Sequence, residues 1–430
     1  MVKNIYSSIL DKLKSRFVRN IIVLCLGTGL AQVAALIFIP FITRIYGPEA
    51  FGAFGFYSSL LSFMAPLSSL ALPLAIVLPK ANIEARIIFN FSLKICFLSC
   101  LIISTVMLLI ELFYPTVIPF SAAFILVPVG VFLSVYLLLY TQWCIREGFF
   151  RLISSLTLLT AFLGGGIKTV AGLVLPSGEV LVLSTLLVLA VQVAVLGRVV
   201  KLHRFNKGKS GGGRKYRFIL KKYYRFPAYR LPHSLLAVIS QVAPVFLLTI
   251  FFDAESAGYF VLTRTVLSAP VTLIGKAVYD VTYPKINKRY YEGLKNYSFI
   301  LSLTLVLTII SILPLIGVYY AGETVFSMLF GAEWVTSGSY AKWMSIWFAF
   351  NFLNKASAAA ISTYSMDKFL FVNGVMNNIL SLSGFLVGLL FFESDLASVA
   401  LFSLCGVICQ VTLICKVLRV IRNNESKLKP

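Results

Sequence analysis

Twelve long apolar blocks restrict the fold of this 430-residue chain more than any other feature. Each has about 20 apolar residues, the length that a helix needs to cross the hydrocarbon core of a bilayer. The blocks are continuously apolar rather than alternating, which excludes a closed β-barrel. A hydrophobic content of 59% also excludes a soluble globule. The sequence therefore predicts an all-α integral membrane protein. The predicted spans are 20–43, 51–78, 87–113, 119–141, 152–175, 180–197, 231–252, 258–283, 297–320, 340–362, 369–392 and 396–418.

A basic segment, residues 198–230, divides these blocks into two groups of six. It has twelve Lys or Arg residues and no acidic residue, and its centre, 206–214, is rich in glycine. Such a composition indicates a flexible linker. Residues 3–17 have apolar side chains at four-residue spacing among lysines, which predicts an amphipathic helix on an anionic inner leaflet. The predicted domains are an amphipathic cytoplasmic N-terminus (1–19), an N-lobe (20–197), the basic cytoplasmic linker (198–230), a C-lobe (231–418) and a cytoplasmic tail (419–430).

Charge is distributed unequally between the two sides of the predicted membrane. With an internal amino terminus, 31 of the 38 Lys and Arg residues fall in inner segments, and only Arg44 falls in an outer loop. Nine of the sixteen acidic residues fall in outer loops. This asymmetry predicts a multi-pass protein of the cytoplasmic membrane with both termini cytoplasmic. It also explains the net charge of +22 by topology, so nucleic acid is not an expected partner.

The cysteines include two pairs at four-residue spacing, Cys96 with Cys100 and Cys405 with Cys409. Neither pair has a histidine or a carboxylate near it in sequence, so ordinary packing is expected rather than a metal site. The sequence predicts no metal and no cofactor.

An internal repeat relates the two halves. The segment GPEAFGAF (47–54) aligns with DAESAGYF (253–260) at an offset of 206 residues. At nearly the same offset, Pro66 aligns with Pro270, and Leu78-Pro79-Lys80 aligns with Tyr283-Pro284-Lys285. Because each half has six spans, the copies are parallel and related by a pseudo-twofold axis along the membrane normal, as in many transporters.

Two segments resemble a known family. The segments LGTGLAQVAALIFIPFITRIYGPEAFGAFGFY (26–57) and AGYFVLTRTVLSAPVTLIGKAVYDVTYPKI (257–286) are similar to the two signature regions of the Wzx-type polysaccharide flippases. These proteins belong to the multidrug/oligosaccharidyl-lipid/polysaccharide exporter superfamily, and LFGAEW (329–334) resembles a third feature of the family. The resemblance implies a flippase for undecaprenyl-diphosphate-linked oligosaccharide repeat units, with membrane lipids and polysaccharide polymerase or assembly proteins as partners. It also implies alternating access, with the polyprenyl tail remaining in lipid.

The sequence departs from the family pattern at two positions of the second signature. Lys276 stands where a small residue is expected, and Asp280 stands where a Gln-like residue is expected. The two are four residues apart on one predicted helix, a spacing at which they can neutralise each other.

Six cations fall within predicted spans: Lys94, Lys168, Arg264, Lys276, Lys342 and Lys355. A charge at mid-membrane costs at least ~2.5 kcal/mol, so such a cation normally faces a cavity or a partner. Lys94, Lys168 and Lys342 lie near the ends of spans, where a long stem reaches the headgroups. We therefore predict a substrate site between the lobes, in which Arg264 is the leading diphosphate contact. Lys355 is a second cation there, and Asp280 holds Lys276 ready.

Sugars require amides, hydroxyls and aromatic faces. The amide candidates within spans are Gln32, Asn90, Gln142, Gln241, Asn351, Asn354, Asn373 and Asn377. Hydrogen bonds between helices are the structural alternative for each of them. Arg44 resembles the Arg in the first outer turn of the family. Its structural alternatives are bonding to carbonyls near Pro40 or pairing with Glu49.

Other functions are open at this point. A peptidoglycan-precursor flippase shares the implied fold, and a drug or cation antiporter of the same superfamily would require a buried carboxylate, for which Asp280 is the nearest candidate. An enzyme is not expected, because the longest outer segment (321–339) has only Glu323 and Glu333 as charged residues and no catalytic constellation is visible. The sequence also contains no GxxxxGK[ST] nucleotide-binding loop.

Overall fold

Helices make up the structure. The computed structural model describes residues 16–113, 125–204 and 213–427, and within these ranges it has no β-strand. The helices before the basic segment are α1 (Arg16–Ile45), α2 (Pro48–Ser69), α3 (Asn82–Phe113), α4 (Val127–Glu147), α5 (Phe150–Val174) and α6 (Gly178–Arg204). The basic segment contains α7 (Gly213–Lys222) and a π-helix (Phe226–Arg230). The helices after it are α8 (Leu231–Phe251), α9 (Ala254–Tyr291), α10 (Tyr297–Phe330), α11 (Val335–Ile361), α12 (Asp367–Phe392) and α13 (Asp395–Lys427).

Within the described residues each predicted span lies mostly in one long helix, except the second, and the predicted all-α membrane fold is confirmed. Among the described residues, eleven helices are long and apolar enough to cross a membrane. The twelfth long helix, α11, carries two lysines, two asparagines and four serines. Fifteen of its 27 residues are buried, so protein rather than lipid surrounds much of this more polar helix. The fourth span differs in its end, because α4 continues to Glu147 instead of residue 141.

The helices pack into two units. The first unit comprises Met1–Ile45 and Leu60–Leu235, and the second comprises Tyr46–Ser59 and Leu236–Pro430. In the first unit, α1 packs closely along α5. Gly27 lies against Ser154, and Gly165 lies against the ring of Phe38. A Cβ atom at either glycine would collide with the opposite side chain, so these glycines set the close approach of the two helices.

The core of the second unit is formed by large side chains from α8, α9, α11, α12 and α13. Phe260, Tyr340 and Phe385 are fully buried in it, and Trp347 packs against Phe402 with 5.6 Å between the ring centroids. Burial and edge-to-face contact of such rings stabilise this unit. The core therefore fixes the positions of α9 and α11, the two helices that carry most of the predicted site.

The two copies of the repeat meet at their equivalent glycines. A Cβ atom added to Gly52 would collide with the carbonyl oxygen of Ala254, and one added to Gly258 would collide with the carbonyl oxygen of Pro48. The offset of 206 residues converts each of these pairs into the other. This reciprocal contact lies within the second unit and agrees with the alignment of the two copies.

The second span of each half has a different course in the two copies. In the first copy, α2 ends at Ser69, Leu70 and Ala71 adopt left-handed conformations with φ of 51° and 53°, and a 3-10 helix follows over Leu72–Val77. The single continuous span predicted over 51–78 is therefore wrong. Pro73 lies in the first turn of the 3-10 helix, where its missing N–H is tolerated. In the second copy, α9 continues through both Pro270 and Pro284 as one helix of 38 residues.

Arg146, at the end of α4, binds the segment that follows this break. Its guanidinium donates hydrogen bonds of 2.5 to 3.5 Å to carbonyl oxygens that the end of the 3-10 helix leaves without helical partners. It also donates from two nitrogens to one side-chain oxygen. The acceptors are the carbonyl oxygens of Ile76, Val77, Pro79 and Lys80, and Oδ1 of Asn82. The planar five-donor geometry of arginine makes such a cluster of bonds possible.

Helix α7 packs against the start of α3. Ile219 and Tyr223 are buried there, and Glu84 accepts hydrogen bonds from Lys222 Nζ (2.5 Å) and the Tyr223 hydroxyl (3.2 Å). The hydrogen bond to Glu84 raises the pKa of Lys222 above its usual value. Tyr216 stacks on Phe91 with 4.9 Å between ring centroids. The second part of the predicted linker is therefore an ordered helix that belongs to the first unit.

Two predictions concern segments largely outside the described residues. The amphipathic helix predicted at 3–17 lies mainly before residue 16, and the linker centre at 206–214 lies mainly within residues 205–212. Both stay predictions, as do the domain boundaries and the cytoplasmic location of the termini.

Candidate functional site

Arg264 of α9 is bound to Gln241 of α8. Its Nη1 donates to the backbone oxygen of Gln241 (2.7 Å), and its Nη2 donates to the side-chain oxygen Oε1 (2.6 Å). Pro244 lies one turn further along α8 and has no N–H, so it cannot donate a helical hydrogen bond to the carbonyl of Ser240, the residue before Gln241. Both acceptors of Arg264 are neutral. Among the described residues no carboxylate forms an ion pair with this arginine, so its position is fixed but its charge is not neutralised.

Lys355 of α11 lies across Gly275 of α9. The Cβ position of Gly275 is 3.0 Å from Cγ of Lys355 and 3.2 Å from its Cε, so any larger residue at 275 would displace the lysine stem. Lys355 is half-buried, and within the described part of the chain it forms no ion pair or hydrogen bond. It is therefore a second intramembrane cation without a counter-charge.

Arg264 and Gly275 lie on the same face of α9. Their separation of eleven residues is close to three helical turns, which corresponds to about 16 Å along the axis. Lys355 itself belongs to α11, and its stem crosses α9 about three turns from Arg264.

Lys276 and Asp280 do not form the predicted pair. Both side chains are exposed, and no ion pair joins these two described residues. Lys276 follows Gly275 directly on α9, but it is less buried than Lys355.

The amides of α11 lie close to Lys355. Asn354 donates through Nδ2 to Gln410 Oε1 of α13 (2.5 Å), while its own Oδ1 is buried and has no hydrogen-bond partner among the described residues. Asn351 lies one turn earlier and is half-buried. Gln32 and Arg44 are exposed residues of α1 in the first unit. The other seven predicted site residues belong to the second unit.

Three other intramembrane cations have partners. Lys342 Nζ forms an ion pair of 2.7 Å with Glu323 Oε1, which also accepts a hydrogen bond from Ser339. Lys94 lies over the ring of Tyr216, 4.8 Å from its centroid. Lys168 also has an interaction partner. These three lysines thus have interaction partners, whereas Arg264 and Lys355 have no ion pair with a described residue. Arg264 and Lys355 are also the two that lie deeper in their predicted spans.

One polar cluster beside the site was not predicted. Asn378 of α12 donates to the backbone oxygen of Leu236 (3.1 Å) and accepts from the Ser240 hydroxyl (2.5 Å). It joins α12 to the turn of α8 that precedes Gln241. The sequence pattern favoured its neighbour Asn377, whose Oδ1 is also buried and has no hydrogen-bond partner among the described residues.

Family comparison identifies the group of proteins to which this chain is related. The model of the family described as "Polysaccharide biosynthesis protein" matches residues 17–289, which is more than half of the chain. The chain belongs to this family. Both segments that resemble the flippase signatures, 26–57 and 257–286, lie inside the matched region, and the predicted resemblance is confirmed.

A curated relative supports the same assignment over a shorter region. The teichuronic acid biosynthesis protein TuaB of Bacillus subtilis (strain 168) is 25% identical over 118 residues. The match covers 27% of this chain and 24% of TuaB, so the chain spans about a quarter of the length of that relative.

Solved structures identify the fold. The lipid II flippase MurJ, in an inward closed conformation, has a TM-score of 0.70 at 13% identity, with 94% of this chain and 90% of MurJ covered. An inward-facing MATE family multidrug transporter of the MOP superfamily has a TM-score of 0.58 at 13% identity, with 94% of both chains covered. An outward-facing MATE family multidrug transporter of the MOP superfamily has a TM-score of 0.59 at 15% identity, with 96% of both chains covered. The fold is that of the MOP superfamily, whose transporters have two six-helix lobes, and the predicted two-lobe, multi-pass architecture is confirmed. The chain therefore shares its fold with this flippase and these transporters.

Proposed function

We propose that this protein moves oligosaccharide repeat units linked to undecaprenyl diphosphate from the inner to the outer leaflet of the cytoplasmic membrane by alternating access. The family description supports a role in polysaccharide biosynthesis, as does the name of the relative TuaB. The transporter fold supports movement across the membrane. Anionic lipids of the inner leaflet and polysaccharide polymerase or assembly proteins are its proposed partners, and both termini are proposed to be cytoplasmic.

The observation that carries this proposal is the pairing of Arg264 with a neutral residue. An arginine within a membrane span normally faces a partner charge or a polar cavity. Gln241 fixes two N–H groups of Arg264 and leaves the positive charge without a counter-ion. An anionic headgroup supplies that counter-ion, and arginine binds phosphate oxygens through two parallel hydrogen bonds.

Lys355 provides a second binding position for the same headgroup. The separation of about 16 Å along α9 between Arg264 and the lysine contact at Gly275 gives the diphosphate two binding levels at different depths. The buried acceptor Oδ1 of Asn354 beside Lys355 fits a sugar hydroxyl as its donor. Asn351, Gln32 and Arg44 remain proposed sugar or phosphate contacts, and Lys276 remains a proposed third cation.

Two alternatives use the same fold. A peptidoglycan-precursor flippase would handle the same diphosphate, and the family description favours polysaccharide repeat units over it. A drug or cation antiporter would require a buried carboxylate that is available to an ion. Glu323 is paired with Lys342, and Asp395 accepts hydrogen bonds from Ser256 and Tyr340. Asp280 is exposed, which makes it a poor ion site.

The test is to compare Arg264→Ala with Arg264→Lys in cells that lack the native copy, scoring glycan export and membrane abundance. We expect Arg264→Ala to lower export at least tenfold at normal abundance. Arg264→Lys should give an intermediate rate, because it keeps the charge but loses the two directed bonds to Gln241. Normal export by Arg264→Ala at normal abundance would show that the arginine does not contact the substrate.

A matched control removes another intramembrane cation together with its partner. The double variant Lys342→Gln, Glu323→Gln should retain export within about twofold, since a partly exposed ion pair contributes little. Cells without the protein should also accumulate the lipid-linked repeat unit and continue to make peptidoglycan. A block in peptidoglycan synthesis instead would favour the peptidoglycan-precursor alternative.

A further inference from the structure

An apolar groove runs between α9 and α10 in the second unit. Both helices pack on α11, which forms the floor of the groove. The volume of the groove is about 140 Å³. The walls and floor are almost entirely apolar, with principal contributions from Leu267, Pro270, Ile274, Pro314, Phe348 and Phe352.

The mouth of the groove is open and hydrophobic. Ile274 on one wall is 51% exposed, and Ile310 on the other is 52% exposed. Pro270 and Pro314 lie on the two facing walls, where each interrupts the hydrogen bonding of its own helix. Water has too few polar partners in such a space to fill it. In a membrane, an apolar chain is therefore the natural occupant.

A positive charge lies at one end of the groove. Lys355 follows Phe352 by one turn of α11, and its stem crosses Gly275, the neighbour of Ile274 on α9. As described above, Lys355 has no partner among the described residues. An apolar groove that ends at an unpaired cation matches an amphiphile with an apolar tail and a phosphate headgroup.

We propose that this groove holds a segment of the polyprenyl chain of the phosphorylated lipid carrier, with the phosphate at Lys355. The inference rests on the proposed function and deepens it, because it assigns a protein site to the tail. An apolar cavity of roughly 150 Å³ accommodates benzene, so the groove holds about one isoprene unit. The rest of the chain stays in lipid. This modifies the expectation that the whole tail remains in the bilayer.

The experiment measures lipid binding to the purified full-length protein in detergent by titration in native mass spectrometry. The probes are undecaprenyl phosphate, undecaprenol and phosphatidylglycerol. Ala349→Phe fills the groove from its floor, and Val318→Phe narrows it from the α10 wall. Leu313→Phe is the matched control, because Leu313 lies on the same helix, is 78% exposed and does not line the groove.

We expect the wild-type protein to bind undecaprenyl phosphate at least tenfold more tightly than phosphatidylglycerol. Each groove variant should weaken binding of undecaprenyl phosphate about tenfold. A factor of ten requires only that about two methylene groups of the lipid tail are no longer buried in the groove. Leu313→Phe should change it less than about twofold. Lys355→Gln should reduce the preference for undecaprenyl phosphate over undecaprenol, which has no phosphate.

The outcomes separate the two proposals. If the wild type prefers undecaprenyl phosphate and both groove variants keep that preference, the groove does not bind the tail, and the proposed function is unaffected. If phosphatidylglycerol binds as tightly and is displaced by the groove variants, the groove holds ordinary membrane lipid and the inference is overturned. Loss of export in Arg264→Ala would still support the proposed function in either case. Should Ala349→Phe not fold, Val318→Phe, which adds less volume because it replaces a larger residue, decides the matter.

Discussion

The two copies of the repeated span, α2 with its 3-10 helix and α9, show how one sequence pattern gives two backbone courses. Pro66 and Pro270 lie four to five turns after the starts of their helices, and Pro79 and Pro284 are aligned further along. In the first copy the helix ends at Ser69 and the next two residues have left-handed backbone conformations, whereas the helix of the second copy continues to Tyr291. The close glycine contact at their starts is the same in both. The repeat therefore fixes where the helices meet but not whether they continue.

An additional proline explains the difference. Pro73 in the first copy aligns with Val278 in the register of the Leu78-Pro79-Lys80 motif. A second factor is Arg146, whose hydrogen bonds satisfy the carbonyls at the end of the broken segment. In the register of the first prolines, Ala71 aligns with Gly275. The break in one copy thus corresponds to the level at which Lys355 crosses the other.

The largest expected effect comes from transferring the break. Val278→Pro would remove the hydrogen bond to the carbonyl of Ile274 and force the proline ring against that oxygen. It should destabilise the protein by about 3 kcal/mol or more. The measurement is thermal unfolding in detergent together with membrane abundance, and Val278→Ala separates the loss of side-chain volume. Unchanged stability of Val278→Pro would mean that α9 tolerates proline wherever it occurs, and that Pro73 does not cause the break.

The feature shared by the two copies gives the next effect. Gly52→Ala and Gly258→Ala each place a methyl group on a backbone carbonyl that has no flexible side chain to yield. Each should cost about 1–3 kcal/mol, and because the contacts are reciprocal the two costs should be similar.

Gly317→Ala is the control for both, because nothing lies within 4 Å of the added methyl group. It should be neutral or stabilising by up to about 1 kcal/mol in the same unfolding measurement. Strongly unequal costs for Gly52→Ala and Gly258→Ala would contradict the reciprocity of the contact.

The smallest effect is expected at the left-handed residues. Ala71→Gly removes the cost of a side chain at φ of 53° but adds freedom to the unfolded chain, so stability should change by less than about 0.5 kcal/mol. Ala71→Val should destabilise by about 1 kcal/mol or more, since a β-branched residue is poorly accommodated there. Thermal unfolding of the pair measures the difference. Equal stability of the two variants would argue against a left-handed conformation at this position.

The course of the membrane spans was predictable because a bilayer leaves few options. A long apolar block must satisfy its backbone internally, so it becomes a helix whatever its neighbours are. The break after Ser69 was not predictable, because a proline in an apolar block is compatible with both a kink and an end. Helix α7 was missed since its charges suggested a linker. Its signal was the helical spacing of Tyr216, Ile219 and Tyr223, which are the side chains that contact α3 or lie buried beside it.

The sequence predicted which charged residues form the candidate site, but not which residues they contact. Depth within the spans separated Arg264 and Lys355 from the cations that reach a partner or a headgroup. Their neighbours Gln241 and Gly275 come from other helices, and no local pattern specifies such pairs. The proximity of Lys276 and Asp280 in sequence suggested an ion pair, but both side chains are exposed on α9 and do not form it.

Arg146 belongs to two stages in the history of the molecule. During insertion it is one of the positive charges expected to hold the loop after α4 on the cytoplasmic side. After folding, the same guanidinium binds four main-chain carbonyls of a segment some 70 residues earlier in the chain. A lysine at position 146 would keep the loop on the cytoplasmic side, because membrane topology depends on charge alone. It would not form the four hydrogen bonds to main-chain carbonyls, because these require the planar guanidinium group. Lysine and arginine count equally toward membrane topology, but the hydrogen bonds of the folded protein require arginine at position 146.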